Sequence, residues 1–564
     1  MVQGVIEVIG VGQRTGGGRR TLRDVSFSVG AGQLVAIIGG SGSGKTTLLE
    51  ALAGVRPPAE GEVRYTTPCG PPGYVPQDDI VHMGLPLRRT LRYAAGLRLP
   101  AGTPAERIDR AVDAALDALA LTGRAGQRVG SLSGGERKRA SIAVELLTRP
   151  GVFFLDEPTS GLDPVTAADL MRLLRGLARA GTTIVMTTHH PPDVHGCDRV
   201  AVLSEDGGLA FHGTPDAALE RFGARTVEDI YLRLAETTPA DGNGTGGGDG
   251  DGPAAEADWE RRFAESAPDA PDGNAPTGDA PRAGARAGGA RRIGAVREWA
   301  LLARRDLDLL TRDRLTLAIL AGSPLMVLAM FAVLFRPGAF SPASPSPSAT
   351  VMILFWIAFG GFFFGLTYGL LQICTELPVL RRERLAGLRA GPYVLAKAAV
   401  LVPLLAAVDA LMLAVLRALD RLPGAGWGTY GPVFGTLLLC SAAALALGLL
   451  VSAAVTDPSQ ATMALPMLCF PQVLFVGAIL PVPLMAAPGR WLSAAMSNRW
   501  AFEALGRSLG VERLWASGAS PLGPPLLASY GGTFSRPVAA DWALLGGFTA
   551  LFLAGTVLVV ARRT

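Results

Sequence analysis

A glycine-rich run that begins at Gly39 has the residue types and spacing that bind phosphate. Positions 37–47 read IIGGSGSGKTT and match GxxxxGK[ST] between an apolar strand pattern and a helical pattern. In this pattern backbone N–H groups surround the phosphates, Lys45 reaches the β- and γ-phosphates, and Thr46 ligates Mg²⁺. The alternative, a merely glycine-rich turn, does not explain the strand-loop-helix context. The predicted nucleotide contacts are Gly39, Gly40, Ser41, Gly42, Ser43, Gly44, Lys45, Thr46 and Thr47.

Two adjacent carboxylates follow a short apolar strand pattern at 152–155. Asp156 can hold magnesium through the water shell of the metal, and Glu157 can polarise an attacking water. Two acids after a buried strand can also simply cap a helix. The phosphate loop and the LSGGE segment at 132–136 favour nucleotide hydrolysis over capping.

Residues 132–163 carry a resemblance to a known family. They read LSGGERKRASIAVELLTRPGVFFLDEPTSGLD, which resembles the ABC ATPases and specifically the G subfamily of half-transporters. The resemblance implies that Ser133, Gly134 and Gly135 contact ATP bound at Lys45 of a second subunit. These three residues open a helix, so their N–H groups and the helix dipole suit a γ-phosphate. The next four residues, 136–139, are interpreted as a solvated first helical turn.

Further site residues follow from the same resemblance. Gln77 is expected to sense magnesium and to contact the membrane domain, His189 to act as the switch histidine, and Asp163 to communicate between the two sites. The expected catalytic set is therefore Glu157, His189 and Gln77, and the expected magnesium ligands are Thr46, Gln77 and Asp156. ATP and Mg²⁺ are the expected cofactors. One departure is that 11–14 (VGQR) offers no aromatic residue to stack on adenine.

Three of the chain's five histidines, at 189, 190 and 195, suggest a zinc site as an alternative. Pro191 and Pro192 interrupt the helical spacing that such a site needs. The position of His189 at the end of a strand favours the nucleotide role instead. The five cysteines are scattered without a CxxC spacing, which argues against a disulfide or zinc framework.

The chain divides into two domains and a linker. Alternating strand and helix patterns at 1–236 predict an α/β domain with a largely parallel sheet. Positions 237–294 are rich in Gly, Ala, Pro and Asp, which predicts a flexible tether. Trp259 and Phe263 lie four residues apart in this tether, so either a short docking helix or plain disorder fits them. The first 30 residues lack the pattern of a secretory leader.

Positions 295–564 form the predicted membrane domain. Six apolar stretches are long enough to cross a bilayer: 315–335, 350–371, 394–416, 433–455, 461–481 and 542–560. Arginine clusters precede the first span, join the second to the third and end the chain. Six spans put these clusters on one side, so both termini are expected in the cytoplasm, with an external loop at 482–541.

Several membrane-domain residues are candidates for function. The segment 376–388 resembles the coupling segment of the G subfamily, which implies a coupling role for Glu376, Arg382, Glu383 and Arg384; the alternative is a basic anchor at lipid headgroups. Positions 497–505 resemble an external lid helix of these exporters. Asp409 lies inside a span, where it needs a structural partner or marks a substrate or proton path. Phe359 and Phe363 line a possible substrate cavity, although packing and lipid contact also explain them.

The predicted fold is an α/β P-loop ABC ATPase domain, with a RecA-like core and a helical subdomain, followed by an all-α membrane domain of six transmembrane helices. The function predicted is an ATP-driven half-transporter in the cytoplasmic membrane. It is expected to export or flip a hydrophobic or amphipathic molecule as a dimer, most simply a homodimer in contact with membrane lipid.

Two other functions fit parts of the sequence. One is an ABC-type membrane ATPase for mechanical signalling or envelope remodelling that moves no substrate. The other is a soluble ABC ATPase of nucleic-acid repair or translation, which the six charge-poor spans argue against. A net charge of +4 over 564 residues gives no electrostatic reason to expect a nucleic-acid partner.

Overall fold

The computed structural model describes residues 4–14, 18, 20–65, 72–236, 293–424, 426–517 and 519–563. These residues form two compact units, Met1–Ile293 and Gly294–Thr564. The predicted linker, including Trp259 and Phe263, lies outside the described residues except for its last two positions. The prediction of an α/β domain followed by an all-helical domain is confirmed.

The described residues of the first unit form two β-sheets. A three-stranded antiparallel sheet has the order β2-β1-β4, and a six-stranded sheet has the order β5-β6-β7-β3-β8-β9. In the larger sheet every neighbouring pair is parallel except β8 with β9. The strands are β1 (Gly4–Arg14), β2 (Arg20–Gly30), β3 (Leu34–Gly39), β4 (Glu60–Tyr65), β5 (Gly73–Val75), β6 (Val152–Leu155), β7 (Thr183–Thr187), β8 (Arg199–Leu203) and β9 (Leu209–Gly213).

Helices cover the larger sheet and form a separate helical group. They are α1 (Lys45–Leu52), α2 (Leu87–Arg98), α3 (Ala105–Ala118), α4 (Gly134–Leu146), α5 (Pro164–Arg179), α6 (Pro191–His195), α7 (Pro215–Phe222) and α8 (Val227–Glu236). Helices α2, α3 and α4 pack on one another, as the predicted helical subdomain requires.

The buried strands β3, β6 and β7 position the candidate site. Every residue of these strands is buried, and apart from Thr183 and Thr187 at the two ends of β7 their sequences are continuously apolar. Because β7 lies between β6 and β3 in a parallel arrangement, the carboxyl ends of all three meet at one edge of the sheet. The phosphate loop, the Asp156-Glu157 pair and the His189 segment leave the sheet at this edge.

The second unit is helical throughout the part that is described. Its helices are α9 (Ala295–Arg312), α10 (Arg314–Leu334), α11 (Pro347–Leu370), α12 (Leu377–Leu385), α13 (Ala390–Ala418), α14 (Trp427–Ala454), α15 (Pro458–Leu474), α16 (Ala487–Ala494), α17 (Ser497–Ser508), α18 (Val511–Ser517), α19 (Gly523–Tyr530) and α20 (Val538–Arg563).

Four helical stretches within the described residues are long and apolar enough to cross a membrane. They are Pro347–Leu385, Ala390–Ala418, Trp427–Ala454 and Val538–Arg563. The predicted first span coincides with α10, and the predicted fifth span, 461–481, coincides with α15 only as far as Leu474. Helix α15 has Pro466 and Pro471 in its interior, and Gly477 turns the chain at a φ of 98°. Helix α15 therefore ends before the apolar stretch at 461–481 does, and the count of six membrane spans stays a prediction.

The predicted external loop, 482–541, is not an irregular loop. Its described residues, 482–517 and 519–541, form the four helices α16 to α19, and α17 packs against α11, α14 and α20. Most residues of α17 are buried, including Asn498, Trp500 and Glu503. The lid helix predicted at 497–505 is thus present as a helix, and it forms part of the packed core of the membrane domain.

Candidate nucleotide-binding and hydrolysis site

The phosphate loop folds between β3 and α1, as its sequence predicts. Gly44 has a φ of 91°, and a Cβ there would lie 2.6 Å from the Thr21 backbone oxygen, so glycine is required at this position. The Lys45 ammonium group donates to the backbone oxygens of Gly39 at 2.9 Å and Gly40 at 2.7 Å. The Ser43 hydroxyl is buried and has no hydrogen-bond partner within the described residues. The loop thus combines a positively charged ammonium group with a hydroxyl that lacks a partner in the described residues, and both groups suit an oxygen-rich anion.

Asp156 is held against the start of α1. The Thr46 hydroxyl donates to Asp156 Oδ1 at 3.1 Å, and the Thr187 hydroxyl donates to the same oxygen at 2.6 Å. Burial raises the pKa of Asp156 above its ordinary value, while these two hydrogen bonds act in the opposite direction. Burial likewise lowers the pKa of Lys45, and the nearby carboxylates of Glu157 and Asp156 oppose that change.

Glu157 lies at the centre of the predicted catalytic set. Gln77 Nε2 donates to Glu157 Oε2 at 3.0 Å, and His189 Nδ1 lies 3.2 Å from the same oxygen. Glu157 has a φ of 44°, in the left-handed region that is unusual for a residue with a side chain. The structure therefore brings Gln77, Glu157 and His189 together from three separate segments, although their catalytic roles stay predictions.

Thr187 belongs to this site, and sequence reasoning missed it. Besides donating to Asp156, its hydroxyl accepts from the Glu157 N–H at 2.9 Å. One buried hydroxyl therefore fixes both carboxylate-bearing residues. The available signal was its place at the end of β7, two residues before His189.

We expect Thr187→Val to lower kcat for ATP hydrolysis by about 10-fold, because the Glu157 N–H and the Asp156 carboxylate each lose a partner. Thr187→Ser should restore most of the rate, since it keeps the hydroxyl. Thr183→Val is the matched control: Thr183 is a buried threonine at the other end of the same strand, where it accepts from the Gly32 N–H. Equal kcat values for the Val variants at 187 and 183 would contradict the assigned role.

The signature segment caps helix α4. The Ser133 hydroxyl accepts from the Glu136 N–H, and the Glu136 carboxylate accepts from the Ser133 N–H. A Cβ on Gly135 would lie 2.2 Å from the Thr166 side chain, whereas a Cβ on Gly134 has only one neighbour, at 3.8 Å. Ser133 and Gly134 are exposed, as a contact with a second chain requires.

The interpretation of 136–139 as a solvated turn is wrong for Lys138. Its side chain is 5% exposed, its ammonium group donates to the Gln77 backbone oxygen, and it lies 4.0 Å from Asp79 Oδ1. Lys138 therefore ties the signature helix to the Gln77 loop. A charged run alone did not reveal which of its members face the protein interior.

Asp163 caps α5. Its Oδ1 accepts from the N–H groups of Val165 at 3.1 Å and Thr166 at 3.0 Å. The hydrogen bond from the Thr166 side chain, followed by the backbone hydrogen bonds from Thr166 and Val165, holds the pKa of the Asp163 carboxyl below its ordinary value. A role in communication between two sites stays a prediction.

The clustered histidines have separate partners. His189 contacts Glu157, while His190 Nδ1 lies 3.3 Å from Asp193 Oδ1. Within the described residues no three His, Cys, Asp or Glu side chains are grouped as ligands for a metal ion.

The predicted coupling residues are engaged inside the membrane unit. Glu376 Oε2 accepts from Lys397 Nζ at 2.8 Å and from the Tyr393 hydroxyl at 3.1 Å. Glu383 pairs with Arg305 at 2.5 Å, which links α12 to α9. Arg382 is 6% exposed, too buried to serve as the headgroup anchor that was the alternative.

The Arg384 guanidinium donates to the backbone oxygens of Leu388 and Ala561, and Arg563 donates to the Ala453 backbone oxygen. Together with the Arg305–Glu383 pair, these bonds place the three basic clusters at one end of the membrane unit.

The candidate cavity residues have packing partners. Asp409 is fully buried; Ser441 Oγ donates to its Oδ2 at 2.9 Å, while its Oδ1 has no partner in the described part of the chain. The half-buried rings of Phe359 and Phe363 have centroids 6.1 Å apart, and Phe359 also stacks on Phe355. The structural partner that Asp409 was expected to need is thus Ser441, and the substrate role of all three residues stays a prediction.

The residues present fit a magnesium-bound nucleotide. Hydroxyl and carboxylate oxygens from Thr46 and Asp156 converge at the phosphate loop, and hard oxygen ligands are those that Mg²⁺ prefers. When bound, Mg²⁺ supplies neutralisation of phosphate charge. Lys45 would bind the phosphates, and Glu157 would accept a proton from water while Gln77 and His189 orient its carboxylate.

Comparisons with known proteins agree with this geometry. The ABC transporter family model matches residues 22–160, and the ABC-2 type transporter model matches residues 297–508. The ABC transporter ATP-binding/permease protein Rv1747 of Mycobacterium tuberculosis is 31% identical over 532 residues, covering 91% of this chain and 58% of that protein.

Two G-family relatives match the ATPase part. ABC transporter G family member 26 of Arabidopsis thaliana is 38% identical over 235 residues, covering 39% of this chain and 34% of that protein. ATP-binding cassette sub-family G member 5 of Rattus norvegicus is 40% identical over 222 residues, covering 36% of this chain and 34% of that protein. The chain thus spans 58% of the first relative's length and about a third of the lengths of the other two. With an ATPase domain that precedes an ABC-2 type membrane domain, the chain belongs to the ABC transporter family, in the arrangement of a G-type half-transporter.

Proposed function

We propose that this protein hydrolyses ATP with Mg²⁺ and uses the energy to export or flip a hydrophobic or amphipathic molecule across the cytoplasmic membrane. The observation that carries this proposal is the meeting of Gln77, Glu157 and His189 beside the Asp156–Thr46 pair, in a chain that also has an ABC-2 type membrane domain. Hydrolysis supplies the energy, and the membrane helices supply the path.

A homodimer accounts for the single signature segment. Ser133 and Gly134 are exposed at the start of α4, where N–H groups suit the γ-phosphate of a nucleotide held by another chain. Each nucleotide would then be bound by Lys45 of one chain and by Ser133 and Gly134 of its partner. The basic clusters at one end of the membrane unit support cytoplasmic termini.

Transport is tested with purified protein in vesicles that contain a headgroup-labelled fluorescent phospholipid. With MgATP outside, we expect ATP hydrolysis and an ATP-dependent change in the fraction of label accessible to an impermeant quencher, or vectorial accumulation of an amphipathic dye. Hydrolysis without any substrate movement across a broad set of amphiphiles would favour the mechanical-signalling alternative. Absence of hydrolysis would overturn the proposal.

The shared site is tested by mixing two inactive variants. Lys45→Ala removes the phosphate contact, and Gly134→Asp places a negative charge at the signature, where a Cβ is sterically tolerated. Each variant alone should be inactive. Co-expression should restore roughly a quarter of wild-type ATPase activity, since random pairing gives half of the dimers one intact site of two. No recovery in co-purified mixed dimers would show that each site is complete within one chain.

A further inference from the structure

A buried carboxylate lies beside the hydrolysis site. Asp193, in α6, is 3% exposed. Its Oδ2 accepts from the Thr159 hydroxyl at 2.5 Å and from the Thr188 hydroxyl at 2.8 Å, and its Oδ1 lies 3.3 Å from His190 Nδ1. A carboxylate that joins two hydroxyl groups in a buried setting forms strong hydrogen bonds.

The two hydroxyl groups belong to the segments that carry the catalytic pair. Thr159 follows Glu157 by two positions after β6, and Thr188 immediately precedes His189 after β7. Asp193 therefore links these segments just beyond the point where they leave the sheet. The linked segments are the ones that bring His189 Nδ1 within 3.2 Å of Glu157 Oε2.

The His189 side chain needs such a link, because little else holds it. It is 58% exposed, so packing does not fix its position. The backbone before it is held more firmly: the Thr188 hydroxyl accepts from the His190 N–H at 2.9 Å, and the Tyr231 hydroxyl donates to the Thr188 backbone oxygen at 3.3 Å. Thr188 is thus the fixed point from which His189 extends, and Asp193 attaches that point to the Glu157 segment.

We infer that Asp193 is a positioning residue for ATP hydrolysis, which sets the His189 side chain against Glu157 by tying Thr188 to Thr159. The inference rests on the proposed ATPase function and names a determinant of the same site. The inferred role needs no contact between Asp193 and the nucleotide. It acts through His189, so its removal should affect the rate of hydrolysis and leave nucleotide binding nearly unchanged.

The test measures steady-state MgATP hydrolysis by the full-length protein in detergent or vesicles. We expect Asp193→Ala to lower kcat at least tenfold with less than a threefold change in KM. Asp193→Asn should stay within threefold of wild type, because its amide oxygen can accept from both threonines. Thr159→Val should reproduce part of the loss in kcat, and Thr159→Ser should keep most of the wild-type kcat because it keeps the hydroxyl. Thr159→Val is also the second probe of the same link if Asp193→Ala does not fold. Asp169→Ala is the matched control, because the Asp169 side chain is 46% exposed and its ion pair with Arg172 lies on the surface. Its kcat should equal that of the wild type.

A double-mutant cycle with His189→Ala separates positioning from a purely structural role. If Asp193 acts through His189, the double variant is no slower than His189→Ala alone, because the same interaction is already lost. If the reduction in kcat of the double variant equals the product of the two single reductions, Asp193 does not act through His189 and the inference is overturned. A normal kcat with a lowered Tm in Asp193→Ala would also overturn it. A wild-type protein without ATPase activity would instead contradict the proposed function, so the two failures are distinguishable.

Discussion

Replacing Glu157 with glutamine is expected to lower kcat for ATP hydrolysis by at least about 100-fold, the lower range for loss of a general base. A glutamine carbonyl can still accept the hydrogen bond from Gln77 Nε2 that Glu157 Oε2 accepts at 3.0 Å. Shape and hydrogen bonding are thus retained, while the ability to take a proton from water is lost. ATP affinity should change little, since Lys45 and the phosphate loop are untouched.

The same variant should accumulate the ATP-bound dimer. Crosslinking between cysteines introduced near Gly134 and near the phosphate loop would detect that dimer with MgATP and not with MgADP. Glu220→Gln, at an exposed position on α7, is the control and should hydrolyse ATP like the wild type. A kcat within threefold of wild type would show that a group other than Glu157 polarises the water.

The largest effect on folding is expected at Gly365, in the contact between α11 and α14. A Cβ at this position would lie 2.1 Å from the Ser441 backbone oxygen and 2.9 Å from the Ala444 Cβ. Gly369, one turn later, faces the Leu445 backbone oxygen in the same way. Small residues at four-residue spacing let two membrane helices approach closely, and here the backbones themselves are in contact.

We therefore expect Gly365→Leu to lower the free energy of unfolding by more than the value typical of an overfilled core, which is about 1 to 3 kcal/mol. The loss is larger here because the backbone must move, and not only a flexible side chain. The measurement is the yield of monodisperse protein in detergent and its Tm by intrinsic fluorescence. Gly547→Leu is the matched control: it makes the same change on α20, where the residue is exposed and a Cβ has no neighbour within 4 Å. Similar Tm values for the two variants would contradict this account of the helix contact.

The sequence by itself determined the chemistry of the nucleotide site. The phosphate loop is a continuous segment whose glycine spacing, lysine and flanking strand and helix are all local, so its fold follows from its own residues. The acids at 156 and 157 follow the buried strand β6 for the same reason. The apolar stretches likewise predicted the positions of the membrane helices, because a bilayer imposes length and composition directly.

The tertiary structure decided which distant side chains meet at that site. Thr187 contacts Asp156 across a sequence separation of 31, and Asp193 contacts Thr159 across 34. Both contacts depend on the sheet order that places β7 beside β6, which no local pattern specifies. The burial of Lys138 depends in the same way on the Gln77 loop packing over α4.

The membrane unit shows the same division. Apolar composition located α10, α11, α13, α14, α15 and α20, but it did not reveal that 497–508 forms a buried helix against α11, α14 and α20, or that α15 ends at Leu474. Composition reports how well a segment tolerates an apolar environment. Which helix faces meet is set by side-chain shape and by hydrogen bonds between residues far apart in sequence, so only the folded chain decides it.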